Sequence, residues 1–573
     1  MTETMTPHPN QSRVRRVDRA ARSGLDVMLS EAAAGSPPRF LAPGAGVRVG
    51  AGLMRHPRRV AARAAGLSAE LARAAAGCSE VVPAKGDRRF ADPAWGDNWL
   101  LRRLLQGYLA VGETVDGLIS DAGVDWRAER RARLAAGNVL DAVAPTNFPW
   151  SNPAVIREIV DTGGANLARG ARRLVRDVSK PPRLPATVDT SKFEVGKNLA
   201  ATPGSVVLRN DVFELIQYRA STKQVRSVPL LFVPPTINKF YVLDLAPGRS
   251  MIEHHVAQGQ QVFAISWRNP DQAQGHFDLD TYARAVAEAH DAVAAITGEP
   301  KVHLAAACSG GIITAGLLGH LAAAGELSGV ASLTLMVCAL DNASAGTVSA
   351  LVSRDVAAAA VAESARKGYL DGQALAGVFT WLRPNDLVWS YVVNNYLLGK
   401  ALPAFDVLYW NQDSVRLAAG LHRDFIDIAL ENSFVRPGTL EVLGSGVDLG
   451  AVDVDTYFVA GLSDHIVPWE SAYRSASLFG GKRRFVLSRS GHIQALVNPP
   501  GPDSRSSFRV SNELPQEPGE FVDQAPKLPG SWWADWDAWL AERSGGLKPA
   551  PRTLGSRAYK AQAKAPGTYV LAS

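Results

Sequence analysis

Apolar positions recur along this chain with two different spacings, and the change between them divides it. Between about residues 86 and 195 the spacing is helical, most clearly over Leu100–Ile119 and Trp126–Leu140. A further helix is predicted over Pro153–Val178, and the three prolines of Lys180–Pro185 are typical of a linker. The pattern therefore predicts a mostly helical N-terminal domain over residues 86–195.

From residue 196 onward, short apolar runs of strand length alternate with helical stretches. Helices are predicted to end near Gln258, to span Asp280–Thr297 and to begin at Ile312. The predicted strands are Ser205–Leu208, Phe213–Tyr218, Val228–Val233, Gln261–Ser266, Val302–Ala307, Ala331–Leu340, Tyr457–Ala460 and Arg484–Leu487. Such alternation predicts an α/β domain with a mainly parallel sheet over residues 196–573.

The alternation breaks between Asp341 and about Glu441. A helical stretch over Ala357–Ala365 is followed by an aromatic-rich stretch over Phe379–Asn411. A helical insertion of this kind, over about residues 342–440, predicts a cap over an active site. The aromatic residues either form only the core of that subdomain or also exclude water from the site beneath it.

The two ends of the chain have compositions of their own. Residues 1–85 are rich in Ala, Arg and Gly, with five arginines in Arg13–Arg22, which predicts a flexible or loosely helical extension. A contact with a partner or an anionic surface is the alternative for this extension. The four tryptophans within Trp532–Trp539 predict an amphipathic helix that packs on the body. A docking surface for an apolar polymer is the other interpretation of these tryptophans.

Composition narrows the class of protein and its compartment. The net charge of +6 suits an anionic small substrate. The sequence has no stretch of basic residues interleaved with aromatic residues, so it gives no reason to expect binding to nucleic acid. The three cysteines lack metal-ligand spacing and argue against a disulfide framework. The N-terminal sequence has no signal pattern, and no apolar run reaches the roughly 18 residues of a membrane span. We expect a cytoplasmic protein without a transmembrane span.

One stretch, KVHLAAACSGGIITAGL, carries the strongest chemical signal. The strand Val302–Ala307 turns sharply at Cys308–Gly311 and continues as a helix, which is the design of a nucleophile elbow. The elbow pattern G-x-S-x-G here has Ala306 in place of the first glycine and Cys308 in place of serine. By itself the motif leaves an inert buried thiol as an alternative.

Two loops downstream of Cys308 supply an acid and a base in the order that elbow enzymes use. Asp464 follows the strand Tyr457–Ala460, and His492 follows the strand Arg484–Leu487, 28 residues later. Both would lie at the carboxyl ends of parallel strands. His303 lies within a strand and is interpreted as a core residue, and His465 is expected to point away from the base position.

The remaining chemistry follows from the cysteine and its surroundings. A thiolate that attacks a thioester forms another thioester, so the acyl group stays activated for a second transfer. A serine would instead form an ester that is better suited to hydrolysis. The predicted oxyanion donors are the backbone N–H of Ser309 and one from the loop Thr236–Asn238, for which we assign Ile237.

These residues, together with several flanking blocks, resemble the polyhydroxyalkanoate synthases over roughly residues 87–570. The family box is G-x-C-x-G, so Ala306 is a departure that we expect to affect packing more than chemistry. The matching blocks are Asp87–Trp95, Pro145–Phe148, Phe193–Gly196, Asn198–Ala200, Thr202–Gly204, Pro234–Leu245, Ser266–Pro270, Asn385–Trp389, Asp464–Trp469 and Gly491–Ile493. Because the chain holds a full catalytic region, it resembles the single-subunit types.

The resemblance implies an α/β-hydrolase fold with Cys308 as nucleophile, His492 as base and Asp464 as the third triad member. It implies polymerisation of (R)-3-hydroxyacyl-CoA without a cofactor. The length of the protein and its N-terminal extension favour 3-hydroxybutyryl-CoA as the substrate. It further implies a homodimer at the surface of the polymer granule, in contact with the growing polyester. A thioesterase or depolymerase with the same triad is one rival, and a non-catalytic granule-binding protein is another. Product mass and CoA release distinguish the three.

Overall fold

The computed structural model describes residues 43–179, 183–342, 354–372, 374, 384–464, 466–502 and 504–572. Its strands lie between residues 204 and 564. They are β1 (Gly204–Arg209), β2 (Phe213–Tyr218), β3 (Gln224–Arg226), β4 (Leu230–Val233), β5 (Val262–Trp267), β6 (Val302–Ala307), β7 (Val330–Met336), β8 (Tyr369–Leu370), β9 (Leu417–Ala418), β10 (Glu441–Val442), β11 (Ser445–Gly446), β12 (Thr456–Gly461), β13 (Arg483–Ser488), β14 (Ser507–Ser511), β15 (Lys527–Pro529), β16 (Leu547–Pro549) and β17 (Ala563–Lys564).

Helices precede the sheet in sequence and then alternate with its strands. They are α1 (Pro43–Met54), α2 (Pro57–Ala76), α3 (Ala94–Asp97), α4 (Trp99–Asp121), α5 (Trp126–Ala142), α6 (Pro153–Thr162), α7 (Ala165–Val178), α8 (Met251–Ala257), α9 (Leu279–Thr297), α10 (Ser309–Ala324), α11 (Arg354–Lys367), α12 (Asp406–Gln412), α13 (Ala419–Glu431), α14 (Trp469–Ala476), α15 (His492–Leu496), α16 (Pro518–Gln524) and α17 (Trp533–Ala541). Two π-helices, Asn385–Trp389 and Val392–Leu397, lie between α11 and α12.

Eleven of the described strands form one sheet in the order β15-β14-β13-β12-β7-β6-β4-β5-β2-β1-β17. The six central strands, from β13 to β5, are parallel, as the alternation of strands and helices predicts. The outer strands on both sides pair antiparallel. The three residues between β1 and β2 explain this difference on one side, because they permit a hairpin but no crossover.

Apolar side chains cover both faces of the sheet. Alternate residues of β4 separate cleanly, with Leu231 and Val233 in one core and Leu230 and Phe232 in the other. Helices α9 and α10 cover the first face, and α8 and α17 cover the second. A sheet buried on both faces explains why the parallel strands are continuous apolar runs.

The N-terminal region is helical, with one break that the periodicity did not predict. The stretch Pro153–Val178 forms two helices, α6 and α7, because Gly163 and Gly164 adopt left-handed φ angles of 58° and 83°. Residues 1–42, including Arg13–Arg22, lie outside the described residues. Within the predicted loose extension, α1 and α2 are regular helices, and Arg63 of α2 pairs with Asp121 of α4 at 2.7 Å.

The insertion between β7 and β12 holds α11, the two π-helices, α12 and α13. Residues 343–353, 373 and 375–383 of this insertion lie outside the described part of the chain. The cap contacts the N-terminal helices, since Asn166 of α7 donates to the Leu397 carbonyl at 2.7 Å. It also contacts the loop after β4, where the Trp410 indole donates to the Lys239 carbonyl at 2.8 Å.

The tryptophan-rich segment packs on the body of the protein. Trp532, Trp533 and Trp536 are buried, and the Trp536 indole donates to the Thr334 hydroxyl of β7 at 3.0 Å. Packing is therefore the interpretation that the structure confirms. Buried rings leave no tryptophan face at these three positions for a polymer.

Candidate active site

Cys308 lies at a strained turn between β6 and α10. Its φ and ψ angles of 51° and −122° lie outside the regions that a non-glycine residue normally occupies. The Cys308 N–H donates to the Met336 carbonyl at 2.9 Å, and its carbonyl accepts from the Gly311 N–H at 2.9 Å. The helix begins at Ser309 rather than at the predicted Ile312, so the elbow is tighter than the sequence suggested.

Close packing of backbones explains the small residues of the elbow. A Cβ atom on Gly310 would lie 2.5 Å from the carbonyl oxygens of both Val233 and Pro234. Ala306 is fully buried in β6 and pairs with Val233 on one side and Leu335 on the other. The structure thus needs glycine at 310 and holds the alanine at 306 within an ordinary strand.

Asp464 and His492 meet at the carboxyl ends of β12 and β13. His492 Nδ1 lies 2.7 Å from Asp464 Oδ2, so this nitrogen carries a hydrogen that it donates to the carboxylate. Asp464 Oδ1 accepts from the backbone N–H groups of Ile466 at 2.8 Å and Val467 at 2.9 Å. The loop therefore holds the carboxylate, and the carboxylate orients the imidazole.

The three predicted site residues lie together and are all buried, with 6–8% of each exposed. Burial lowers the pKa of His492, but the Asp464 carboxylate and a hydrogen bond with the Cys308 thiol favour the charged imidazole. Together they raise that pKa from 6.5 to about 10. A thiol, an imidazole that interacts with it and a carboxylate that orients the imidazole are an arrangement that suits covalent acyl transfer.

The predicted oxyanion donors, Ser309 and Ile237, belong to the two segments that flank the nucleophile. The Thr236 N–H and hydroxyl lie 2.9 Å and 3.1 Å from Ser309 Oγ, which joins the loop after β4 to the start of α10. Ile237 follows Thr236 directly and is 4% exposed. The Thr236 amide donates to Ser309 Oγ and is therefore engaged. The assignment of the second oxyanion donor to Ile237 stays a prediction.

Other titratable groups near the sheet have structural roles. His303 lies between the hydroxyls of Ser332 and Ser544, and burial followed by the charge of Arg543 lowers its pKa to about 3. This neutral ring agrees with the predicted core position. His465 lies outside the described residues. Among the described residues, no group of three His, Cys, Asp or Glu side chains is arranged to hold a metal ion.

Sequence patterns missed one feature beside the site. Lys239 is buried in the loop after β4, and its Nζ lies 2.7 Å from Asp413 Oδ1 of the cap. A lysine in an apolar loop indicates that a carboxylate partner exists, because buried charges require pairing. The sequence around Lys239 does not indicate which carboxylate is the partner, because that residue lies far along the chain.

This sheet, its strained cysteine elbow and the Asp–His pair define a protein of the α/β-hydrolase fold, and residues 237–499 match that fold's family. Residues 86–255 match the family described as the poly-beta-hydroxybutyrate polymerase (PhaC) N-terminus. The chain is 46% identical over 517 residues to poly(3-hydroxyalkanoate) polymerase 1 of Ectopseudomonas oleovorans, covering 90% of this chain and 92% of that one. Polymerase 2 of the same organism is 43% identical, covering 90% and 92%.

A third relative, the poly(3-hydroxyalkanoate) polymerase subunit PhaC of Cupriavidus necator, is 39% identical over 509 residues, covering 87% of this chain and 85% of that one. The chain belongs to the poly(3-hydroxyalkanoate) polymerase family. The predicted fold class and the resemblance to this family are thereby confirmed.

Proposed function

We propose that this protein polymerises (R)-3-hydroxyacyl-CoA, with 3-hydroxybutyryl-CoA as the main substrate, into a polyhydroxyalkanoate and releases CoA. The observation that carries the proposal is the contact of Cys308 with the Asp464–His492 pair at a strained elbow, in a chain of the polymerase family. The CoA thioester is the substrate, and the reaction requires no cofactor.

In the first half-reaction, Nε2 of His492 holds the Cys308 proton as part of an imidazolium, and the thiolate attacks the thioester carbonyl. A C–S bond forms, and the carbonyl electrons move to oxygen in a tetrahedral intermediate. When the carbonyl re-forms, the bond to CoA breaks, and the imidazolium returns a proton to the departing thiolate. The raised pKa of His492 supports this role, because Asp464 stabilises the imidazolium that each proton transfer creates.

The tetrahedral oxyanion is stabilised by the backbone N–H groups of Ser309 and Ile237. Ser309 is the first residue of α10, so its N–H has no partner one turn earlier in the helix and can face the site. The positive end of the α10 dipole adds to this stabilisation. Ile237 supplies the second donor from the opposite side of the elbow.

In the second half-reaction, the 3-hydroxyl of a monomer or of the growing chain attacks the Cys308 acyl group. We assign its deprotonation to His492. Both oxygens of Asp464 are engaged, one by His492 and the other by two backbone N–H groups. A new ester bond forms, the C–S bond breaks, and the hydroxyl proton moves through the imidazole to the Cys308 thiolate.

We further propose that the protein works as a homodimer in the cytoplasm, at the surface of the polymer granule. Large exposed apolar side chains in the helical region before residue 179 support contact with an apolar polymer. Among them are Trp99, Trp150 and Val160, each at least 60% exposed. No helix in the described ranges is long and apolar enough to cross a membrane.

Replacement of the nucleophile tests the proposal. We expect Cys308→Ala to abolish CoA release from 3-hydroxybutyryl-CoA, while Cys78→Ala, at an exposed cysteine, keeps wild-type turnover. Mass analysis of the product distinguishes polyester from the free acid that a thioesterase would make. A series of 3-hydroxyacyl-CoA chain lengths tests the substrate assignment. Substantial turnover by Cys308→Ala would refute the mechanism.

A further inference from the structure

We infer that Asp413 of the cap is a positioning residue that holds the oxyanion loop, residues 234–241, in its active conformation. The inference rests on the proposed function and deepens it, because it assigns to the cap a direct role in assembling the oxyanion hole. It does not require Asp413 to touch the substrate.

The Asp413 carboxylate uses both of its oxygens on this one loop. Oδ1 lies 2.7 Å from Nζ of Lys239, and Oδ2 accepts from the Tyr241 hydroxyl at 2.7 Å. Both partners are buried, with 5% of the Lys239 side chain and none of Tyr241 exposed. One carboxylate thus fixes two residues of the oxyanion loop at charge-assisted hydrogen-bond distance.

The position of Asp413 on its helix argues for a role beyond the stability of the cap. It is the C-cap residue of α12, where the negative end of the helix dipole disfavours a carboxylate. The buried ammonium of Lys239 offsets this cost only while the loop keeps its present position. Without Asp413, that ammonium would be a buried and unpaired charge, so the loop would have to move.

Two further contacts join α12 and its C-terminal end to the same loop. The Trp410 indole donates to the Lys239 carbonyl at 2.8 Å, and Asn238 forms a β-bridge with Ser414. Cap residues from 410 to 414 therefore contact Asn238, Lys239 and Tyr241. Asp413 is the charged member of this set.

The other end of the loop is held by the elbow. Thr236 contacts Ser309 Oγ through its N–H at 2.9 Å and its hydroxyl at 3.1 Å. Ile237, the assigned oxyanion donor, therefore lies between an anchor on the nucleophile helix and an anchor on the cap. Loss of the cap anchor frees the amide of Ile237 while leaving the triad itself intact.

The test compares Asp413→Asn with Asp211→Asn, which changes an aspartate 92% exposed and 3.5 Å from Arg268. All variants are made in a Cys78→Ala background, because the exposed Cys78 would also be alkylated. CoA release from 3-hydroxybutyryl-CoA then gives kcat and KM, and stoichiometric alkylation of Cys308 gives the concentration of active sites. We expect Asp413→Asn to lower kcat per active site by about 10- to 100-fold and to change KM by less than about threefold. We expect Asp211→Asn to match the wild type.

Tyr241→Phe provides a second variant that removes one contact to Asp413 without changing any charge. It should lower kcat per active site by about three- to tenfold, and it decides the matter if Asp413→Asn fails to fold. Wild-type kcat per active site in the folded variants would overturn the inference. So would a loss of turnover that is matched by a loss of alkylatable Cys308. If Cys308→Ala still releases CoA, the proposed function fails instead.

Discussion

Gly310 gives a sharp test of the elbow geometry, because the substitution Gly310→Ala adds one methyl group to a site that has no space for it. The new Cβ would lie 2.5 Å from the carbonyl oxygens of Val233 and Pro234. Ordinary carbon–oxygen contacts need about 3.3 Å, so the backbones must separate by roughly 0.8 Å. Neither carbonyl can rotate away, since Val233 belongs to β4 and the Pro234 oxygen accepts from the Trp267 indole at 3.0 Å.

Two effects follow from this separation. Overpacking of a close-packed interior costs about 1–3 kcal/mol in the free energy of unfolding. The shift also moves the start of the oxyanion loop relative to Cys308, and a misplacement of about 1 Å costs on the order of 100-fold in rate. We therefore expect Gly310→Ala to lose about 1–3 kcal/mol of stability and about 10- to 100-fold in kcat.

Urea unfolding and CoA release measure the two effects on the same preparations. Gly137→Ala is the matched control, because Gly137 lies within α5 and a Cβ there meets nothing within 4 Å. This control should be more stable by about 0.5–1 kcal/mol with unchanged turnover. If Gly310→Ala keeps wild-type stability and kcat, then β4 and α10 do not approach each other as closely as the structure indicates.

Two further substitutions test the triad and the unusual elbow alanine. Asp464→Asn should lower turnover by about 10³- to 10⁴-fold, because an amide facing Nδ1 places the imidazole hydrogen on Nε2. Its loss of unfolding free energy relative to the wild type should be greatest near pH 6 and shrink towards pH 10. Because the pKa of His492 is raised in the folded protein, its charged imidazole contributes its full stabilisation below pH 6.5, the ordinary pKa of histidine. This contribution is lost as the pH rises through about 10. A difference in urea unfolding that does not depend on pH would contradict this explanation. Ala306→Gly should cost about 0.8 kcal/mol for the lost methyl and a further 0.5–1 kcal/mol for chain flexibility, with kcat changed less than about twofold; a large change in kcat would give the alanine a catalytic role.

The elements nearest to the chemistry were predictable because their signals are local. The buried strand Val302–Ala307 and the small residues after it define the elbow within ten positions. Asp464 and His492 each follow a strand of the parallel sheet, and the carboxyl ends of neighbouring parallel strands converge. Apolar runs and turns at these three places therefore sufficed to bring the site residues together.

Features that depend on distant partners were not predictable. The break between α6 and α7 depends on two glycines that helical periodicity tolerates, and the regular helix α2 contacts α4 through distant pairs such as Arg63 with Asp121. The link from Tyr241 to Asp413 joins residues 172 positions apart. No pattern in a single sequence selects one carboxylate at that separation.

The link between the cap and the oxyanion loop addresses a problem specific to a polymerase. In the proposed mechanism, the thioester intermediate must survive until a hydroxyl arrives, although water is a smaller and more abundant nucleophile. If the oxyanion hole is complete only when α12 contacts the oxyanion loop, then any nucleophile attacks efficiently only while the cap is in this position. We propose that the same position of the cap excludes water. Asp413 would then join catalytic competence to water exclusion, which a preformed hole open to solvent could not do.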